Sequence, residues 1–199
     1  MTDPRNDELQ ALVFKNRGAL LAIPAAMLAA FGKPSAASVA LGIPIAIAGE
    51  LVRCWAVGYS GVTTRGDHVE APRLVTAGPY AHVRNPLYVG NFITALGFAI
   101  AFTGKNRGMS KLALVGGTLA SMAAVYATII PHEEQFLRSQ FGEAFDRYCE
   151  RVPALIPQSE PAPDPQGAWD PKVIRDAEST TFATFGAMLA VLVLKSLKA

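Results

Sequence analysis

Residues 77–92 read AGPYAHVRNPLYVGNF and form a polar, turn-rich stretch in a chain that is otherwise largely apolar. These sixteen residues include two prolines, two glycines, two tyrosines, a histidine and an arginine. Non-helical backbone at membrane depth is tolerated only where protein or a cavity covers it. The stretch therefore indicates either a folded binding loop or an ordinary interfacial loop, with its tyrosines in the aromatic belt and Arg84 at the lipid headgroups.

The composition around this stretch is typical of a membrane protein. Of 199 residues, 51% are hydrophobic and 17% are charged, whereas soluble domains usually carry about 25% charged residues. The net charge of +2 does not indicate nucleic-acid binding, and no histidine or cysteine cluster has the spacing of a metal site. We predict an all-α, polytopic integral membrane protein with no nucleic-acid partner and no metal. A soluble bundle of buried helices is the alternative.

Five apolar stretches predict about five transmembrane helices, at residues 18–31, 36–59, 88–103, 112–130 and 180–194. The third is shorter than the ~20 residues that a perpendicular helix needs. It is long enough if residues 85–88 form its first turn, and Pro86 suits the first position of a helix. Small residues within the spans, which allow close approach of helices, include Gly42, Gly97, Gly116 and Gly117.

The distribution of basic residues predicts the orientation of these spans. With five spans, the N-terminus and residues 60–85 and 131–179 lie on one side of the membrane. That side carries eleven lysines and arginines, and the other side carries six lysines and arginines. Basic residues concentrate in cytoplasmic segments. We therefore expect a protein of the cell inner membrane, or its equivalent, with its polar segments and catalytic side in the cytoplasm.

Other polar features share this predicted cytoplasmic side with the loop. Residues 132–150 predict an amphipathic helix that is broken at Gly142, and a proline-rich linker follows it. Glu50 and Arg53 lie near the end of the second span, and both would be costly if they faced lipid. We expect these two side chains to face the helix bundle, either as a structural pair or as part of a site.

The loop and the segment after residue 132 together offer groups for a ligand. Free backbone N–H groups where the helix starts at Pro86 favour an anionic group. Tyr80 and Tyr88 supply aromatic faces, and two neighbouring carboxylates, Glu133 and Glu134, supply negative charge. This set suits a polar, zwitterionic, ring-bearing ligand held at the membrane edge.

Two sequence blocks carry a resemblance to known enzymes. LVTAGPYAHVRNPLYVG at residues 74–90 and EEQFLRSQFGEAFDRYCERVPALIP at 133–157 resemble the isoprenylcysteine carboxyl methyltransferase family, and they are similar to the related phospholipid methyltransferases. The resemblance implies one membrane methyltransferase domain over residues 1–199, with a motif core at 72–157 and a proline-rich linker at 158–171. An extra C-terminal helix at 179–197 has no counterpart in the family pattern.

The resemblance also implies S-adenosylmethionine as cofactor and a lipophilic or amphiphilic small molecule or lipid as methyl acceptor. Residues that match the family's cofactor contacts are Leu74, Val75, Tyr80, Asn85, Pro86, Leu87, Tyr88 and Glu134. Candidate acceptor contacts are Glu50, Arg53 and His132. No catalytic residue is assigned, because the sulfonium methyl is already activated and the protein's task is alignment. Arg84 is expected to set the loop by hydrogen-bonding backbone carbonyls.

The chain departs from the family pattern at two positions. Asn85 stands where the family has histidine, and Ile129 stands where the isoprenylcysteine enzymes have an arginine for the substrate carboxylate. An amine or thiol acceptor is therefore expected over a free carboxylate. Two other functions stay open: an NADPH-dependent membrane reductase resembling steroid reductases, and a membrane scaffold without enzymatic activity.

Overall fold

The computed structural model describes residues 4–61 and 71–198, and all regular structure within them is helical. A short 3₁₀ helix, Gly78–Ala81, lies in the loop that precedes the fourth α-helix. The seven α-helices among the described residues are α1 (Pro4–Lys15), α2 (Arg17–Phe31), α3 (Ala36–Ser60), α4 (Pro86–Phe102), α5 (Gly108–Phe141), α6 (Glu143–Arg151) and α7 (Lys172–Leu197). The predicted all-α class is confirmed.

Three of these helices, α3, α5 and α7, are long and apolar enough to cross a membrane. The consecutive helices α1 and α2, separated by Asn16, make a fourth candidate if they are counted as one broken span. Helix α4 is also apolar, at 17 residues. The chain is therefore an integral membrane protein, and the prediction of about five spans is consistent with these helices. Residues 62–70, part of the segment counted as cytoplasmic, lie outside the described residues.

Helix boundaries show where local sequence rules hold and where they fail. Helix α4 begins at Pro86, as the rule for the first helical position predicts. The chain breaks at Gly142, whose φ of 50° suits glycine. The predicted separate helix at 132–150 is wrong in its start, because α5 continues through Pro131 to Phe141. One proline removes a single backbone hydrogen bond, which a 34-residue helix tolerates here.

The C-terminal helix also differs from its predicted bounds. Helix α7 starts at Lys172, seven residues before the expected residue 179. Its first turns are polar, so apolar patterning did not reveal them. The residues between α6 and α7 contain no helix, as the proline content of the predicted linker indicates.

The chain divides into two compact units. The first unit comprises Met1–Lys15, Val52–Val89 and Tyr126–Ser179, and the second comprises Asn16–Leu51, Gly90–Val125 and Thr180–Ala199. The first unit contains both sequence blocks and the proline-rich linker. The second unit packs around an apolar cluster whose buried members are Leu28, Ala46, Phe98, Ala99, Ala101, Phe102, Leu114, Met188 and Leu192.

Glycines in the second unit allow the backbones of α3 and α4 to touch. A methyl group at Gly97 would overlap the backbone of Ala46, and one at Gly42 would overlap the backbone of Gly97. Close backbone approach through small residues is a common mode of helix packing in lipid. Gly116 and Gly117 differ from this expectation, since added methyl groups there would meet either an ordinary contact or open space.

Substituting Gly97 with alanine is therefore expected to lower the free energy of unfolding by about 2 kcal/mol, the usual scale of overpacking. Gly117→Ala is the matched control, because the same methyl group enters open space and alanine favours the helix. Thermal unfolding in detergent, followed by circular dichroism, compares the two variants. Equal stability of Gly97→Ala and Gly117→Ala would contradict the close approach of α3 and α4.

Candidate functional site

The loop before α4 is held in place by the proline-rich linker. The backbone N–H groups of Thr76 and Ala77 both donate to the carbonyl of Gln166, at 2.9 and 3.1 Å, and the Gln166 N–H donates to Thr76 Oγ1 at 2.8 Å. Further along, the Gln158 N–H donates to the His82 carbonyl at 3.0 Å, and His82 Nδ1 lies 2.9 Å from the Gln158 carbonyl. The linker is thus docked along the loop.

Arg84 joins the loop to α5 and to the end of α6. Its Nε and Nη2 donate to Glu134 Oε1 at 3.0 and 2.7 Å, and its Nη1 donates to the carbonyls of Cys149 and Val152. The side chains of Arg84 and Glu134 are 14% and 20% exposed. The expected bonding of backbone carbonyls by Arg84 is confirmed. Its ion pair with Glu134 joins the two sequence blocks.

Asn85 caps α4 and at the same time binds the segment that directly follows α6. Its carbonyl accepts the N–H groups of Tyr88 and Val89, at 3.1 and 3.2 Å, which closes the first turn after the buried Pro86. Its backbone N–H and its side-chain Nδ2 donate to the carbonyl of Ala154, at 3.2 and 3.0 Å. The side-chain amide therefore positions the loop.

Tyr88 connects the first turn of α4 to α5. Its hydroxyl donates to Glu133 Oε1 at 2.7 Å. Its ring stacks on Tyr126, with ring centroids 4.3 Å apart and planes inclined at 25°. Tyr126 was not predicted as a site residue, because it lies inside an apolar stretch. Its position seven residues before Glu133, about two helical turns, would have placed both on one face of α5.

Tyr80 and Tyr148 link the 3₁₀ helix to α6. The Tyr148 hydroxyl donates to the Tyr80 carbonyl at 2.8 Å, and Tyr148 belongs to a buried cluster with Phe145 and Val152, against which Leu74 packs. Burial raises the pKa of Tyr80 to about 12, and burial also raises the pKa of Tyr148. Both hydroxyls are neutral at physiological pH, and that of Tyr148 acts as a hydrogen-bond donor.

Arg53 pairs with a residue that the sequence did not suggest. Its Nη2 donates to both carboxylate oxygens of Glu178, at 3.0 and 2.8 Å, and the two side chains are 11% and 1% exposed. Glu178 lies in the polar start of α7, 125 positions along the chain from Arg53. Glu50 is 8% exposed, so it is buried as expected.

The remaining predicted site residues are placed as follows. Leu87 is half-buried in the first turn of α4, and Val75 lies beside Gly167 of the linker. The ring of His132 lies against that of Phe14, with centroids 5.8 Å apart. The eight residues that match the family's cofactor contacts all belong to the first unit. Glu50 belongs to the second unit. Within residues 4–61 and 71–198, no group of three potential ligand side chains is arranged to hold a metal ion.

Comparison with known families gives an independent view of the chain. Residues 37–144, more than half of its length, match the family described as phospholipid methyltransferase. This match covers α3 except its first residue, the loop, α4 and the whole of α5, and it ends inside α6. The linker and α7 lie outside it.

Several curated proteins are similar to the chain. The cobalt-zinc-cadmium resistance protein CzcN of Cupriavidus metallidurans is 35% identical over 118 residues, which cover 59% of this chain and 47% of CzcN. A probable protein-S-isoprenylcysteine O-methyltransferase of Oryza sativa is 30% identical over 121 residues, which cover 59% of this chain and 60% of that protein. The protein-S-isoprenylcysteine O-methyltransferase of Schizosaccharomyces pombe is 37% identical over 93 residues, which cover 46% of this chain and 34% of that protein. The chain thus spans about half the length of these relatives, and no solved structure matches it.

Proposed function

The chain belongs to the phospholipid methyltransferase family, and on that basis we propose that it transfers a methyl group from S-adenosylmethionine to a lipophilic or amphiphilic acceptor at the membrane. The observation that carries the proposal is the Arg84–Glu134 ion pair. It ties together the two sequence blocks that resemble the isoprenylcysteine and phospholipid methyltransferases. The loop, the start of α4 and the end of α5 then act as one site.

The residues of this site fit the chemistry of S-adenosylmethionine. Arg84 occupies Oε1 of Glu134, and Oε2 accepts no hydrogen bond from the part of the chain that the structure describes. That oxygen suits the ammonium or hydroxyl donors of the cofactor. The positive end of the α4 dipole favours its carboxylate, and the rings of Tyr80 and Tyr88 suit its adenine ring or its positive charge.

The bound cofactor would supply an activated methyl group, and the chain's own residues would align and shield the reaction. A lone pair on the acceptor forms the new bond to the methyl carbon as the carbon–sulfur bond breaks, and the bond's electrons stay on sulfur. Because positive charge on sulfur is lost, a dry site does not oppose the transfer. Arg84 fixes the loop, while the cluster around Phe145 and Tyr148 excludes water from its α6 side.

The acceptor is proposed to present an amine or a thiol. Ile129, at the position where the isoprenylcysteine enzymes carry an arginine, is fully buried and apolar. That position therefore supplies no cation to a substrate carboxylate. The names of the relatives from Oryza sativa and Schizosaccharomyces pombe indicate a prenylated cysteine as their acceptor. The acceptor proposed for this chain is also lipophilic, and it differs from theirs in the group that receives the methyl.

Ligand-induced thermal stabilisation in detergent tests this function. S-adenosylmethionine or S-adenosylhomocysteine is expected to raise the unfolding temperature, because a ligand that binds only the folded state stabilises it. NADPH is expected to leave it unchanged. Stabilisation by NADPH alone would indicate a membrane reductase instead, and stabilisation by none of these ligands would indicate a non-enzymatic scaffold.

The proposed orientation places the linker in the cytoplasm. A cysteine introduced at the exposed Ser159, in a background lacking Cys54 and Cys149, is expected to be protected from a membrane-impermeant thiol reagent in intact cells. Lysis is expected to allow full labelling. Labelling before lysis would show that the basic-residue count assigned the wrong orientation.

A further inference from the structure

The Arg53–Glu178 pair connects the part of the chain that matches the family to a helix outside the match. Arg53 lies in α3, inside residues 37–144, whereas Glu178 belongs to α7. The carboxylate of Glu178 is 1% exposed, and each of its two oxygens accepts a hydrogen bond from Nη2 of Arg53. Ionisable residues within membrane-spanning helices are costly and generally functional.

A second contact holds the start of α7 along α3. The Asp170 N–H donates to the Gly58 carbonyl at 2.8 Å, and a side chain at Gly58 would overlap the indole ring of Trp169. The Asp170 side chain in turn accepts the Lys172 N–H at 2.9 Å, which caps α7. The segment from Trp169 to Glu178 is thus anchored at two points on α3, and the position of the Glu178 carboxylate is fixed by both.

The pair lies close to the candidate cofactor loop. Gly78 of the loop lies against the ring of Tyr59 near the end of α3, because a side chain at Gly78 would overlap that ring. Arg53 lies on the same helix, six residues before Tyr59, and it is a cation in the same unit as the proposed cofactor contacts. The Glu178 carboxylate, which is bound to Arg53, therefore influences which charged groups of a ligand can approach Arg53.

We propose that Glu178 determines acceptor specificity: by occupying Arg53, it makes the site select against acceptors that carry a free carboxylate. This inference rests on the proposed methyltransferase function, because it concerns the acceptor of that reaction. An acceptor carboxylate at Arg53 meets the negative charge of Glu178, and juxtaposed like charges suppress unwanted partners. An amide, an amine or a thiol meets no such repulsion.

A matched pair of ligands tests the proposal: farnesylated N-acetylcysteine with a free carboxylate, and its carboxamide. Their dissociation constants are measured on the full chain in detergent with S-adenosylhomocysteine present. The wild-type protein is expected to bind the amide at least as tightly as the acid. Glu178→Gln removes the negative charge opposite Arg53, so it is expected to shift the ratio of affinities at least tenfold towards the acid.

Two further variants show whether Arg53 is responsible. Arg53→Gln combined with Glu178→Gln is expected to return the ratio to the wild-type value, since neither charge remains. Glu143→Gln, which removes the carboxylate of an exposed ion pair with Arg147, is expected to leave the ratio unchanged. A tenfold shift that persists in the double variant would overturn the role of Arg53.

The outcomes separate this inference from the proposed function. An unchanged ratio in a folded Glu178→Gln variant that binds S-adenosylhomocysteine would overturn the inference alone. Failure of the wild-type protein to bind S-adenosylhomocysteine would overturn the proposed function. If Glu178→Gln does not fold, the wild-type ratio decides: tighter binding of the acid than of the amide overturns the proposal, and equal or tighter binding of the amide supports it.

Discussion

Arg84→Ala is expected to lower the free energy of unfolding by about 3 kcal/mol, the scale on which removing one partner of a buried ion pair destabilises a protein. The substitution leaves the Glu134 carboxylate, 20% exposed, without its bonded cation. It also removes the donor to the carbonyls of Cys149 and Val152. Chemical denaturation in detergent, followed by circular dichroism, measures the loss.

Two further variants serve as references for the stability of Arg84→Ala. Arg147→Ala removes the cation of an exposed pair with Glu143, whose side chains are 60% and 92% exposed, and it is expected to change stability by less than about 0.5 kcal/mol. Arg84→Lys keeps the charge but loses the planar, multiply donating head group, so an intermediate stability is expected. Equal stability of Arg84→Ala and Arg147→Ala would show that Arg84 does not hold the site together.

Glu134→Gln is expected to weaken the binding of S-adenosylmethionine at least tenfold, about 1.4 kcal/mol. The variant keeps the shape of the side chain and removes the negative charge proposed to receive a donor of the cofactor at Oε2. Because the same change weakens the pair with Arg84, affinity is measured by isothermal titration at a temperature where circular dichroism shows the variant to be folded.

Asp146→Asn is the control for that experiment. It removes the carboxylate of another arginine pair, with Arg138, whose side chains are 52% and 51% exposed. Its affinity for S-adenosylmethionine is expected to equal that of the wild type. An affinity of Glu134→Gln within twofold of the control would remove Glu134 from the proposed cofactor contacts.

Local rules were sufficient to predict several features from the sequence. Pro86 marks the start of α4 because a proline there loses no helical hydrogen bond. Gly142 marks the end of α5 because its positive φ suits a residue without a side chain. The apolar stretches predicted α3, α5 and α7 because each of these helices is long and apolar enough to cross a membrane. Each of these signals lies within a few residues of the feature that it determines.

The individual hydrogen bonds and ion pairs between distant segments were not predicted. The pairs of Arg84 with Glu134 and of Arg53 with Glu178 join residues 50 and 125 positions apart, and no spacing in the sequence encodes such a contact. The docking of the linker on the loop depends on backbone groups, such as the carbonyls of Gln166 and Gln158, which every residue possesses. The start of the predicted helix at 132–150 was wrong, because α5 continues through Pro131 in spite of the lost hydrogen bond.

Methyl transfer into a membrane extract tests the proposed function most directly. The purified full-length protein is incubated with S-adenosylmethionine labelled in its methyl group and with total membrane lipids and proteins, and label in the lipophilic fraction is counted. We predict labelled product that S-adenosylhomocysteine suppresses and that Glu134→Gln forms at least tenfold more slowly. No label above the level of a protein-free control, from protein that is folded and binds S-adenosylmethionine, would contradict the proposal that this chain methylates a lipophilic acceptor.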